Sequence, residues 1–465
     1  MKKLTGAIVA TAALVSLTVT GCKGKDGASA KGGSGKDTYM GVKAQKDPST
    51  KKIYDFGGLE VTIYDWWSNP DAEPSTKQQE DQANYRKWLE DTYNFKAKQS
   101  DLAGWAEHPA EVANYCITGG DDARVFIIDG RSAFSGLKAN LWADLSKVPG
   151  IDWTAAKWNK AAINVMKSGD SFYSFAYGKP EPRTAMFFNK RILQENGFDP
   201  EEPYNLQKAG KWTWDTFEDM CKKLTKDTDN DGIIDQYAMC SWNSIFSWAS
   251  LASNGANVVV GKDANGKYYI DNSDAEIEAW NWVRKMGTTY QKPQPEGANW
   301  DYMKAEFKDG NVAFYVNEEY DAQPNGLLAD MKDDWGMVTF PLGPRSNGKY
   351  FSLNADNMFV IPSCYSQDKI NKIMKIVDLW TDDVPGYTDE DAWKEGYYPA
   401  FRDSRAVDET IQYMMDNPVA HYDWLIPGLD IGPYSWDIFA GADVSTTLEN
   451  KKNETQALLD QMNNY

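Results

Sequence analysis

Apolar and polar residues alternate along this chain in blocks that read as strands and helices in turn. Residues 59–64 (Leu-Glu-Val-Thr-Ile-Tyr) predict a first core strand, and residues 75–92 carry a helical pattern. Residues 124–129 (Arg-Val-Phe-Ile-Ile-Asp) predict a second buried strand with an acid at its tip. A short helix over 189–196 is stopped by Gly197, which takes a left-handed cap without a Cβ clash. Thr213 is placed to cap a helix whose Trp214, Phe217, Met220, Cys221 and Leu224 share one face. Residues 358–361 read as a strand ended by Pro362, and Ile370, Ile373, Val377 and Trp380 mark a further amphipathic helix. This alternation predicts an α/β body with largely parallel sheets.

The first residues carry a different pattern. Lys2 and Lys3 precede an uncharged run over 4–19, which ends in Thr20, Gly21 and Cys22. A basic start, a short apolar centre and small residues at the cut predict a secretory signal over 1–21. The run is shorter than the ~20 residues of a spanning helix, and no later segment reaches that length. Residues 19–22 resemble a bacterial lipobox, in which Cys22 is acylated and becomes the mature N-terminus; an ordinary signal peptide with an incidental Cys is the alternative. Residues 1–22 carry +2 and residues 23–52 carry +5, so 53–465 hold −26 of a whole-chain charge of −19. A Gly/Ser/Lys-rich segment builds no core, so 22–54 is expected to be a flexible tether, its charge either suited to an anionic bilayer or that of a merely solvated linker. The expected location is the extracellular face of a bacterial cell membrane.

Composition then removes whole classes of function. The acidic body offers no basic stripe, which excludes nucleic acid as a partner. With only His108 and His421 available, a His-ligated zinc site or a His-based triad has little to draw on. No GxSxG, HExxH, P-loop or GxGxxG segment occurs. Beyond Cys22, the four cysteines are too sparse for a disulfide scaffold and are expected to be mostly buried thiols. Cys221 and Cys240, which flank an acidic loop, are the one candidate pair.

That loop is the sharpest local motif. Asp227, Asp229, Asp231 and Asp235 stand at positions 1, 3, 5 and 9 around Gly232, with the Ile233 carbonyl at position 7, as in an EF-hand loop. Position 12 is Ala238, so the usual bidentate Glu is missing from 227–238. Four carboxylates this close repel one another without a cation. A structural Ca²⁺ is therefore expected, with an acidic Asx-type turn as the alternative.

Several spaced segments together resemble the extracellular solute-binding proteins (family 1) of sugar ABC transporters. They are residues 61–67 (Val-Thr-Ile-Tyr-Asp-Trp-Trp), 187–191 followed by 196–199, 210–215 (Gly-Lys-Trp-Thr-Trp-Asp), the acidic loop, 307–314 and 335–344. The resemblance covers about 55–450. It implies a two-lobed, periplasmic-binding-protein-like fold (type II) whose lobes close on a cleft by hinge motion, with crossings near 177–183, 347–356 and 397–403. Lobe 1 would comprise 55–179 plus 355–399, and lobe 2 would comprise 180–354 plus 400–465. It also implies a monomer that takes an oligosaccharide and hands it to ABC transporter permease subunits, anchored to the membrane through Cys22.

A sugar ring has an apolar C–H face and a fringe of hydroxyls, so a carbohydrate cleft needs aromatic rings beside planar polar groups. Trp66 and Trp67 follow the first strand at its carboxyl end, where open α/β sheets bind ligands. Strand alternation would point them in opposite directions, leaving one to face the cleft. Asp129 sits at the second strand's tip, as ligand or as cap. Tyr177 and Arg183 lie at the first crossing, where Arg183 either reads ligand or pairs with an acid. Trp242 and Trp248 follow the acidic loop, and Glu318 lies past a strand. Asn354 and Asp356 lie at the second crossing, as hydroxyl readers or turn residues. Tyr434 and Trp436 occupy a Gly-Pro-rich loop. The rival readings are a lipid-anchored glycoside hydrolase, with two carboxylates across the cleft, and a surface glycan-binding adhesin.

Overall fold

A computed structural model describes residues 37–261, 266–324, 326–354, 357–387 and 391–464. Cys22, the signal segment and Asp356 lie outside the described residues, and of Asn354 only the backbone is described. The body holds two four-stranded sheets, each wrapped by helices, which make the two lobes.

The first sheet runs in the order Met358–Val360, Ala123–Ile128, Leu59–Asp65, Phe95–Asp101. The last three strands are mutually parallel, and Met358–Val360 is antiparallel to Ala123–Ile128. The second sheet runs Trp335–Val338, Thr184–Asn189, Val312–Glu318, Tyr237–Met239. Here Trp335–Val338, Val312–Glu318 and Tyr237–Met239 run one way, and Thr184–Asn189, inserted between the first two, is antiparallel to both its neighbours. The expectation of largely parallel sheets is therefore corrected for the pairing in the second lobe, where one neighbouring pair of the three is parallel. Its cause is the connectivity: a chain crossing between lobes arrives at the edge where the parallel strands end. The next strand, Thr184–Asn189 or Met358–Val360, must then run away from that edge.

The crossings meet side by side. Arg183 N–H donates to Ser352 Oγ at 2.8 Å, and Glu319 N–H donates to the Arg183 carbonyl at 2.8 Å. Ser352–Asn354 pairs in parallel with Pro418–Ala420.

Residues 37–54, expected as the end of a flexible tether, are instead folded onto the first lobe. A hairpin of Thr38–Tyr39 and Val42–Lys43 lays the Tyr39 ring 5.2 Å from Tyr85 and 5.6 Å from Trp88, and Gln45 N–H donates to the Tyr93 hydroxyl at 2.7 Å. Polar composition concealed this because only a few scattered residues, Tyr39, Ala44, Ile53 and Tyr54, supply the anchoring surface.

Trp212, Trp214, Trp335 and Trp380 are all buried. Thr213 caps the helix Trp214–Leu224 in a reciprocal box with Thr216, which sets Trp214 flat against Trp282 with ring centroids 4.1 Å apart. Cys116, Cys221 and Cys240 are buried free thiols, so the candidate Cys221–Cys240 pair is not formed. Among the described residues no helix is long and apolar enough to cross a membrane.

Candidate functional site

The carboxyl ends of the three parallel strands in the first sheet lie on one edge, and the site grows from what each strand does there. Asp65 ends the first strand fully buried. Its carboxylate accepts from Trp67 N–H (2.9 Å), Ser68 N–H (2.8 Å), Ser68 Oγ (2.5 Å) and Gln99 Nε2 (2.7 Å). These bonds bend the chain sharply, so strand alternation ceases before Trp66. The two indoles do not point to opposite sides; they meet edge to face at 4.8 Å and 80°. Trp66 leans on the buried His108 ring at 5.3 Å, whose burial pulls its pKa down, while Trp67 is left 50% exposed.

Trp67 forms one wall of a cavity of ≈ 220 Å³. Tyr177, Gln99, Asn159, Glu181 and Asn357 also line it, as does Lys179. Aromatic surface, amides, a carboxylate and an ammonium thus converge on one concavity at the sheet edge and the first crossing. Tyr177 packs 5.5 Å from Phe359. Glu181 continues into a charge chain: it pairs with Arg183, whose Nη1 lies 3.3 Å from Glu318 at the end of the facing second-lobe strand. Arg183 therefore takes the ion-pairing alternative. Next to it Glu319 is buried, and burial pushes its carboxyl up to about 7 despite a bond from Gln323.

Asp129 makes no side-chain cap to the helix Gly130–Lys138 that follows it. Its buried carboxylate instead accepts from Arg131 Nε at 2.9 Å. That bond holds the guanidinium 3.7 Å over the Trp105 ring and 5.1 Å from the Trp424 ring. On the second lobe, Trp242 precedes the helix Asn243–Ser253 and lies 5.2 Å from the exposed Trp300. Trp248, on that helix, lies 4.5 Å from His421 and 5.7 Å from Trp424.

Two candidates fall elsewhere. The Gly-Pro-rich segment expected as a loop is the helix Gly432–Phe439, because Pro433 is tolerated in a first helical turn. Tyr434 is buried against Trp280 at 5.8 Å and lines a second cavity with Glu276 and Asp271. Trp436 is exposed on the same helix.

Trp105, Arg131, Trp300 and Trp424 were missed in the sequence. The signal for Trp105 was indirect: residues 95–101 (Phe-Lys-Ala-Lys-Gln-Ser-Asp) form an edge strand too polar to read as one. Recognising that strand would have placed Trp105 at the same edge as Trp66 and Trp67.

In the acidic loop, Asp227, Asp229 and Asp235 each bring a carboxylate oxygen within 4.8 Å of the others. Asn230 and Gly232, at φ 64° and 90°, make the turn that gathers them. Asp231 does not join the group; its carboxylate accepts from Ile233 N–H at 2.8 Å. The Ile233 side chain is exposed.

Residues 118–415 match the sequence profile described as bacterial extracellular solute-binding protein. No curated protein sequence matches the chain. Among solved structures, it is similar to the GacH receptor of Streptomyces glaucescens, solved unliganded and with acarbose and an acarbose homolog. Identity is 13%, the TM-score is 0.59, and the match covers 87% of this chain and 99% of that one. The ABC substrate-binding protein Lmo0181 of Listeria monocytogenes, in complex with cycloalternan, matches at 17% identity and TM-score 0.57, over 87% and 99% of the two chains. The cyclic alpha-maltosyl-1,6-maltose binding protein of Arthrobacter globiformis matches at 15% and 0.58, over 87% and 100%. At these identities the likeness is one of fold.

Proposed function

The chain belongs to the bacterial extracellular solute-binding proteins, and on that premise we propose that it captures an oligosaccharide and delivers it to an ABC importer. The observation that carries this reading is the cavity at the sheet edge. There the exposed Trp67 ring and Tyr177 stand beside Gln99, Asn159, Glu181 and Asn357, the pairing of apolar face and planar hydrogen-bonding groups that a sugar ring requires. The sugar ligands of the structural relatives support the same class. Binding is reversible, with the sugar held between closed lobes and no bond made or broken. Calorimetric titration with gluco- and manno-oligosaccharides, followed by product analysis, tests it. The reading predicts saturable 1:1 binding with the sugar recovered intact; cleavage would make the hydrolase reading correct, and no binding would remove the carbohydrate assignment. Uptake of the bound sugar through neighbouring permeases separates the importer from an adhesin.

We propose further that Cys22 carries the lipid anchor and that the acidic loop binds Ca²⁺ as a structural clip. Support for the clip is the three hard oxygen donors of Asp227, Asp229 and Asp235 on one turn, a donor set suited to that ion. Metabolic labelling with a fatty acid, abolished by Cys22→Ala, checks the anchor.

A further inference from the structure

One contact joins the lobes through groups that no ligand is needed to explain. Residues 418–439 pack with the second lobe: Tyr422 lies 6.0 Å from Tyr268, His421 lies against Trp248, and Phe439 lies 5.6 Å from Phe246. From this stretch the turn Asp423–Leu425 reaches the first-lobe helix Gly130–Lys138. That helix is fixed to its own lobe, since the Ala133 carbonyl accepts from Trp142 Nε1 at 2.9 Å and Trp142 pairs with Pro362.

The fit at the contact is close. A Cβ on Gly130 would stand 2.8 Å from Leu425 Cδ2 and 2.8 Å from Trp424 Cδ1, so glycine is what lets the turn approach. One residue on, Arg131 is held by Asp129 and lies between two rings from opposite lobes, Trp105 at 3.7 Å and Trp424 at 5.1 Å. A guanidinium fixed in this way is attracted to the face of each ring.

We propose that Trp424 is a cross-lobe positioning residue: seated on Gly130 and Arg131, it holds the two lobes together and sets ligand affinity through the closed fraction. The proposal deepens the binding reading and rests on it only for the affinity consequence; the joint itself is defined without any ligand. Its effect on affinity follows from population, because a ligand that needs the closed form loses apparent affinity in proportion to the closed fraction.

Small-angle scattering of the full chain without added sugar tests the joint independently of what the cleft binds. Two variants break it in different ways. Trp424→Ala removes the ring, and Gly130→Val removes nothing but wedges the contact. The wild-type curve is expected to match the lobe arrangement described here, and both variants are expected to show a larger radius of gyration. Trp424→Phe, which keeps a ring over Arg131, is expected to restore the compact curve. Circular dichroism melts within a few degrees of wild type would exclude general unfolding as the cause of the expansion. An unexpanded curve in both variants, or a wild type already expanded, overturns the proposal. Where an oligosaccharide has been found to bind, Gly130→Val is expected to weaken it about tenfold, and unchanged affinity would contradict the coupling.

Discussion

The two lobes each build a four-stranded sheet and end strands at the cleft with acids, yet those acids have opposite environments. In the first lobe, Asp65 is saturated by four donors and Asp129 is paired with Arg131, so each buried carboxylate fixes an aromatic or cationic group at the surface. In the second, Glu318 is a partly exposed partner of Arg183, while Glu319 is buried and draws one side-chain bond from the neutral Gln323. The contrast separates two tasks. The first lobe presents rings in fixed poses, and the second places titratable charge beside the crossings.

The largest effect is expected where that rigidity originates. Asp65→Ala strands the Trp67 and Ser68 amides and the Gln99 side chain in a buried turn, and should lower the unfolding free energy by on the order of 4 kcal/mol in urea titrations. A change under 1 kcal/mol would show that the turn holds itself.

Glu319 sharpens the second half of the contrast. Its carboxyl is raised from 4.5 to about 7, so the folded state holds the proton more tightly than the unfolded chain does. Stability is therefore greatest below pH ~4.5 as far as this group is concerned, falls by ~3 kcal/mol as pH rises to ~7, and is level above. Glu319→Gln should remove that fall, making the variant more stable than wild type at pH 8 and equal to it near pH 4.5. Parallel pH–stability profiles would show that Glu319 does not carry the dependence.

Trp67→Ala should weaken oligosaccharide binding by about 2 kcal/mol with little loss of stability, read by calorimetry, since the ring is half exposed and lines the cavity. Trp66→Ala, which removes the ring between Trp67 and His108, should cost less affinity and more stability. The reverse order would exchange their roles.

The smallest effect concerns the acidic loop, which is remote from the contrast. Ca²⁺ at roughly ten times its Kd should stabilise the protein by about 1.4 kcal/mol and leave sugar affinity unchanged. A chelator without effect on the melting temperature would remove the clip.

Much of this architecture was readable in advance because strongly apolar strands and capped helices announce themselves. Residues 59–64, 124–129 and 213–224 all fell where local pattern placed them. What escaped was set by long-range contacts. The polar edge strand Phe95–Asp101 is stabilised by its neighbour and not by its own alternation, which hid Trp105. Trp424 reaches the first-lobe helix only because Gly130, almost 300 residues earlier, leaves it room. The Trp66–Trp67 pose turned on Asp65, whose side chain replaced the strand period with a turn. Tyr434 was misplaced for the converse reason: Gly432 and Pro433 read as loop residues but open a helix.

The most direct test of the central claim is a crystal structure with an oligosaccharide selected by calorimetry. A sugar ring is expected stacked on Trp67 beside Tyr177, with hydroxyls on Glu181 or Asn357. A ligand bound away from this cavity, for example beside Glu276 and Tyr434 in the second lobe, would contradict it.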